Sequence, residues 1–238
     1  MATTFITLVN DTLRRLNEVE LTSTDFPTAT GFRAQVKDSV NASLQEISQK
    51  EFEFPFNYTS ASITLSAGTA EYSLATDFKV ADWDSFRIAK DDSISADARL
   101  LRLINYDTFI ARFYERDGNA TSSDFSNPVY IYRTLSNKAG FSPIPDKAYT
   151  VNYNYFAFAN DLVNDTDTMS VPDQFKHVVI DGALYHTYMF RDNAQQAAIT
   201  KQKFEEGIER MRTLHINRFT DIRDTRVGRL IAVPHGSF

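Results

Sequence analysis

Apolar residues recur at steps of three and four near both ends of the chain, which is the period of a helix with one buried face. One stripe lies in the opening residues and a second over 30–51, while two more follow Pro172 and Asn193. Four amphipathic helices are therefore predicted, and the last of them ends near Arg218. In order, the stripes are Phe5, Leu8, Val9, Leu13 and Leu16; Phe32, Val36, Val40, Leu44 and Ile47; Phe175, Val178, Val179, Ala183, Tyr185 and Met189; and Ile199, Phe204, Ile208, Met211 and Leu214.

The middle of the chain changes to the two-residue alternation of β-strands. Residues 57–74 alternate on both sides of Ala67 and Gly68, which predicts a two-stranded hairpin. Between the later strands, 138–146 is rich in Pro and Gly and is interpreted as a connector. The other predicted elements are strands at 85–89, 128–135 and 148–158, a short helix at 106–115 and a polar loop at 118–127.

These elements predict an α+β fold in which both chain ends form one antiparallel helical bundle. Neither helical pair hides its apolar stripe alone, so we expect the two pairs to pack on each other. The bundle comprises 1–52 and 171–218, and a β-rich domain, sandwich-like or barrel-like, is inserted at 53–170. An extended C-terminal arm, 219–238, completes the chain.

The arm carries large apolar and guanidinium side chains without a helical period. A polar, low-complexity end is more usual for a terminus that contacts nothing. Fully extended, the arm reaches roughly 65 Å from its domain, so we interpret it as a segment that docks on another protein. Folding back onto its own bundle stays open as an alternative. The predicted docking residues are Arg218, Arg223, Arg226, Arg229, Leu230, Ile231, Val233 and Phe238.

Composition narrows the function without identifying it. The 238 residues include no Cys, and the formal charge of −6 disfavours a protein that wraps duplex DNA. No apolar run approaches the ~20 residues that span a bilayer, and the N-terminus lacks the features of a secretory signal. Glycine-rich phosphate loops and a GxSxG motif are also missing from the sequence. We therefore expect no catalytic, cofactor-binding or metal-binding residues.

Four groups of residues could support chemistry, and each also has a plainer structural interpretation. His177, Asp181 and Tyr185 share one helix face, which fits a proton relay but is more typical of a satisfied His–Asp contact. Residues 164–170 resemble part of a calcium loop, yet they lack its Gly and its final Glu. Tyr153 and Tyr155 suit either a sugar platform or core packing. A carboxylate pair for glycoside chemistry is conceivable among Asp82, Asp84, Asp91, Asp92 and Asp97.

The order of elements, together with two sequence patterns, resembles the adaptor proteins of tailed bacteriophages, the head-to-tail connectors of the tail tubular protein A type. One pattern follows the first helices and the other lies in the last helical pair, while 91–126 and the arm fall outside both. The first is matched by Ile63, Leu65, Gly68, Tyr72, Leu74 and Phe78, and the second by Pro172, Phe175, Val179, Gly182, Ala183, Leu184, Asp192 and Phe204.

The resemblance implies a non-enzymatic virion protein of the phage neck, assembled in the cytoplasm of the host bacterium. It implies a twelve-subunit ring below the portal protein, with the C-terminal segment on the portal. The β-rich domain then receives the tail nozzle or tube protein, with tail fibres as an optional further partner, while genomic DNA passes through without sequence-specific binding. No membrane is involved.

Three other functions stay open at this point. One is a carbohydrate-binding or glycan-active tail module, which would use the Tyr and Phe face of the strands. Another is a different neck or tail-completion protein with the same general plan. The third is a regulatory helical protein that stays a monomer or dimer.

Overall fold

The computed structural model describes residues 3–50, 52–88 and 99–215. These residues form a mixed α+β fold with six helices and two sheets. The helices are α1 (Phe5–Arg15), α2 (Phe32–Gln49), α3 (Tyr106–Arg112), α4 (Tyr114–Gly118), α5 (Lys176–Phe190) and α6 (Ala194–His215). The strands are β1 (Tyr58–Leu65), β2 (Glu71–Tyr72), β3 (Phe78–Ile88), β4 (Arg99–Leu100), β5 (Arg102–Leu103), β6 (Tyr130–Arg133), β7 (Ala139–Ser142) and β8 (Tyr149–Ala157).

The predicted apolar stripes of the four long helices meet in one hydrophobic cluster. Leu8 of α1, Val40 of α2, Val179 of α5 and Phe204 of α6 are all fully buried in it. Helix α5 packs against α2 and α6, and α1 packs against α2 and α5. The four long helices therefore share a core, as their stripes require, while the description of these helices as an antiparallel bundle stays a prediction.

A second hydrophobic cluster is formed by both sheets. One sheet has the strand order β1-β8-β3-β4, and the other has the order β2-β7-β6-β5 with β5 and β6 parallel. Ile63 and Val151, paired across β1 and β8, share this cluster with Ile131 and Phe141 of the second sheet. Among the described residues the strands form no closed barrel, so the barrel-like version of the β-rich domain is not found there.

The predicted hairpin at 57–74 is wrong in its strand pairing. The turn at Gly68 is present, with a φ of 79° that suits glycine, but the two strands flanking it belong to different sheets. β1 pairs with β8, whereas β2 pairs with β7. The turn therefore passes the chain between sheets, because alternation locates a strand and does not name its partner.

The predicted connector 138–146 contains a strand, β7, which pairs with β6 and is buried along its whole length. Gly140 made this segment look like a turn, but it serves packing instead. A Cβ placed on Gly140 would come 2.3 Å from the ring of Tyr132, so the glycine makes room for that ring. The strand predicted at 85–89 belongs to β3, which begins earlier, at Phe78.

Candidate interaction surfaces

The predicted docking arm lies outside the described residues. The last described residue of the chain is His215, at the end of α6. The structure therefore describes α6 as far as His215 and the surfaces around that end of the helix. The docking residues that lie beyond it are Arg218, Arg223, Arg226, Arg229, Leu230, Ile231, Val233 and Phe238.

The end of α6 is held by an aromatic cluster. The ring of His215 lies 6.3 Å from Phe54, 5.7 Å from Phe56 and 5.6 Å from Phe175, centroid to centroid. One turn earlier Met211 is fully buried. The described end of α6 is thus packed on the helical core, since Phe54 and Phe175 are buried residues of that core.

A cleft of about 560 Å³ opens beside this cluster, between α6 and the residues that follow α2. Phe52, Phe54 and Ile208 give it an apolar floor, and Glu205 and Glu209 stand at its edge. Lys50 and Arg212 also line it, and the Arg212 guanidinium lies 5.8 Å from the Phe52 ring centroid. An apolar floor with charges of both signs at the rim is typical of a protein contact.

Lys79 bonds the backbone of two residues that line this cleft after α2. Its Nζ donates to the Lys50 carbonyl at 2.6 Å and to the Phe52 carbonyl at 3.4 Å. Burial lowers the pKa of Lys79 from its ordinary value, and the nearby Glu53 opposes this effect. The side chain therefore fastens β3 to the segment that links the helical core to the strands.

A second candidate surface lies at the turn between α5 and α6. Met189 and Phe190 are more than half exposed there, as is Val19 after α1. The two segments are joined by an ion pair between Arg191 and Glu18, and the Arg191 guanidinium stacks 3.8 Å above the Phe32 ring. Large apolar side chains exposed together beside an ordered ion pair favour contact with another protein.

The possible relay of His177, Asp181 and Tyr185 is not assembled. Asp181 accepts a hydrogen bond from Arg15 Nη1 at 2.8 Å, so its partner is on α1 and not His177. His177 is exposed, and the Tyr185 ring lies 5.7 Å from Lys201 Nζ. Asp181 therefore joins α1 to α5, and the expected His–Asp contact was the wrong pairing.

The candidate calcium loop at 164–170 is a hydrogen-bonded turn. Asp167 Oδ2 accepts from the backbone N–H groups of Val163 and Asn164, both at 2.8 Å, and these bonds lower the pKa of Asp167. Its backbone carbonyl accepts from the N–H of Phe5 at 2.7 Å. The turn thus fixes the start of α1. Within 3–50, 52–88 and 99–215, His, Asp and Glu side chains form no group suited to a metal.

Two candidates for chemistry remain, the tyrosine sugar platform and the carboxylate pair, and the structure describes only some of their residues. Tyr153 and Tyr155 are buried, at 2% and 5% exposure, and so offer no exposed sugar platform. Burial, and then a hydrogen bond to Asp77, raises the pKa of Tyr155 to about 12. Asp82 accepts a hydrogen bond from the Tyr58 hydroxyl at 2.9 Å. Asp91, Asp92 and Asp97 lie outside the described residues.

One site was missed by the sequence analysis altogether. Tyr132 of β6 stacks on Phe109 of α3 in a pocket that also receives acidic side chains from β2 and α4. The available signal was the run of aromatic and acidic residues in 106–117. That run was interpreted only as a short helix, because its partners lie far away in sequence.

Comparison with known proteins gives a family for the chain. No helix among the described residues is long and apolar enough to cross a bilayer, and no curated protein matches the chain in sequence. A family model described as SU10 adaptor protein matches residues 3–229. This match includes 91–126 and the arm as far as Arg229, which the resemblance had left out. The tail tubular protein A type stays a prediction, but the resemblance to phage adaptors is confirmed at the family level: the chain belongs to the SU10 adaptor protein family.

Proposed function

We propose that this chain is a non-enzymatic structural adaptor of a tailed-phage virion, forming a ring that joins the portal protein to the tail. The observation that carries the proposal is the family match over 3–229, which spans both hydrophobic clusters and most of the arm. Its place in the virion follows from that role. Assembly then takes place in the cytoplasm of the host bacterium.

A closed ring requires two different surfaces on each subunit that fit one another. We assign these two roles to the cleft beside α6 and to the exposed apolar turn after α5, which share no residue. We take the four long helices to be an antiparallel bundle that carries these contacts, twelve subunits to a ring. The inserted β-rich domain then faces the tail nozzle or tube protein, with tail fibres as an optional further partner.

The arm is assigned to the portal. It follows α6, whose described end at His215 packs among three aromatic rings, and arginines at steps of three would point to different sides of an extended chain. Guanidinium groups pair well with carboxylates in a groove. The net charge of −6 per subunit also suits a channel through which DNA must slide, since a basic lining would retain phosphates.

Truncation tests the assignment of the arm. A chain ending at Arg218 is expected to keep its helical circular dichroism and its cooperative unfolding, because both clusters are formed by earlier residues. It is expected to lose co-sedimentation with the portal protein. The triple variant Arg223→Ala, Arg226→Ala, Arg229→Ala should show the same loss, whereas Lys201→Ala, an exposed cation on α6, should not.

Normal attachment of the truncated chain to the portal would overturn this role of the arm. Loss of attachment together with loss of cooperative unfolding would instead show that the arm belongs to its own core, which was the alternative left open by the sequence. The glycan-binding alternative loses the two tyrosines it relied on, because both are buried.

A further inference from the structure

A pocket of about 440 Å³ lies on the β-rich part of the molecule and shares no lining residue with the cleft beside α6. Its aromatic walls come from α3, α4 and β6. The Phe109 and Tyr132 rings are stacked 3.9 Å apart, and Tyr106 lies 6.1 Å from each of them. Tyr114 meets Phe109 edge-on and is more than half exposed. The walls are therefore rigid inside and accessible at the rim.

The pocket is also acidic. Glu71, Glu115 and Asp117 line it. Arg116 is already engaged: its Nη2 lies 2.7 Å from Asp117 Oδ1 and donates to Ser142 Oγ at 2.8 Å, and its guanidinium stacks on Phe113. Burial, and then the charges of Glu71 and Asp117, raises the pKa of Tyr132 above the ordinary range. The pocket thus holds an excess of negative charge.

Asp117 supplies an independent sign of a missing partner. Its side chain is 9% exposed, and Oδ1 is satisfied by Arg116. Oδ2 is buried, and among the described residues it has no hydrogen-bond partner. A buried carboxylate oxygen without a donor is costly. A ligand that brings N–H groups to this wall would remove that cost.

We propose that this pocket binds a guanidinium group, presented as an arginine side chain by an adjoining protein of the virion. A planar cation stacks on aromatic faces and donates to carboxylates in the same plane. A neutral sugar would stack but would leave the acidic charge uncompensated. That the donor is a virion protein rests on the proposed function, whereas guanidinium binding itself does not.

Capped tripeptides test guanidinium binding on the full chain. Acetyl-Gly-Arg-Gly-amide is expected to shift the ring resonances of Tyr106, Tyr114 and Tyr132 in NMR titrations. The peptide with citrulline, which has the same shape but no charge, is expected to bind at least about tenfold more weakly, as is expected when a charge-assisted contact is lost. Equal binding of the two peptides, no binding of either, or tighter binding of maltotriose overturns the proposal.

Single substitutions test whether the arginine peptide binds in this pocket. Glu71→Gln, at an exposed position, should weaken binding of the arginine peptide by about fivefold, and Tyr114→Ser by a similar factor. Asp107→Asn, an exposed acid on α3 that does not line the pocket, should leave it unchanged. An equal loss with Asp107→Asn would mean a diffuse charge effect and would overturn the site.

Attachment to the tail nozzle protein is then compared for the native chain and Glu71→Gln. Weaker attachment of the variant supports a virion protein as the donor. If attachment is unchanged while the arginine peptide still binds more tightly than the citrulline peptide, the donor is not the nozzle protein. The guanidinium site itself is then retained.

Discussion

At the scale of single residues, His186 shows how packing of the helices constrains a titratable group. It lies on α5 with its Nε2 3.4 Å from Glu46 Oε2 on α2, and its ring packs against Tyr185. Burial lowers the pKa of His186 below its ordinary value of 6.5, although Glu46 opposes this effect. Burial of the ring therefore favours the neutral imidazole in the folded chain, against the attraction of Glu46.

Acidification is expected to destabilise the fold as the pH falls below about 6.5, the value for the unfolded chain. Below that pH, His186 binds a proton more readily in the unfolded chain than in the folded one. The free energy of unfolding therefore decreases as the pH falls. The slope from this residue cannot exceed about 1.4 kcal/mol per pH unit. Urea unfolding between about pH 5 and 7.5 should show a slope that His186→Gln reduces.

The exposed His177 provides the control for this measurement. His177→Gln removes an imidazole from the same helix, and an equal reduction of the slope in both variants would contradict the role of His186. The lowered pKa values of Asp124, Asp167 and Asp173 act in a separate window, because those groups ordinarily titrate near 3.8. Their contribution is present above that value and is lost as the pH falls through the lowered pKa.

At the scale of elements, the sequence predicted the secondary structure of each segment far better than its tertiary partners. The helical stripes placed α2 at 30–51, and the structure has Phe32–Gln49. Strand partners were missed at Gly68, because pairing depends on contacts distant in sequence. The acidic aromatic pocket was missed for the same reason: it joins Glu71, Tyr106 and Tyr132 only after three elements have folded together.

Close contact between helices also depends on a glycine, Gly182, which the helical spacing of apolar residues does not explain. Gly182 lies on α5, where a Cβ would come 2.3 Å from Ser43 Oγ and 2.7 Å from the Phe204 ring. Ser43 Oγ donates to the Val179 carbonyl at 2.9 Å. α2, α5 and α6 therefore meet at a point that leaves no room for a methyl group.

Gly182→Ala is expected to lower the free energy of unfolding by about 1–3 kcal/mol, the usual cost of overpacking. The Phe204 ring is fully buried and has little space to move away. The measurement is urea unfolding of the full chain, with Gly118→Ala on α4 as the control, where a Cβ meets nothing within 4 Å. A stability of Gly182→Ala equal to that of the control would show that the helices separate without cost.

At the scale of the whole molecule, the two hydrophobic clusters suggest where a division of the chain would fall. The helical cluster includes Phe54, Leu162 and Met169, all within 53–170, while the β cluster draws its buried residues from Ile63 to Tyr155. Residues near both ends of 53–170 thus contribute to the helical core. The predicted domain division stays a prediction, and the clusters show how to test it.

A fragment of residues 58–158 is expected to fold alone, because it carries the whole β cluster and none of the buried residues of the helical one. About 100 residues suffice for an independent core. The longer fragment 53–170 should also fold but should expose Phe54, Leu162 and Met169, and so bind a hydrophobic dye and associate. Urea unfolding and dye fluorescence of both fragments, with the full chain as reference, check this. The contrary outcome is a 58–158 fragment that unfolds without cooperativity and a 53–170 fragment that is cooperative and binds no dye. The β cluster would then depend on the flanking residues, and the domain boundaries would lie at 53 and 170, as the sequence pattern predicts.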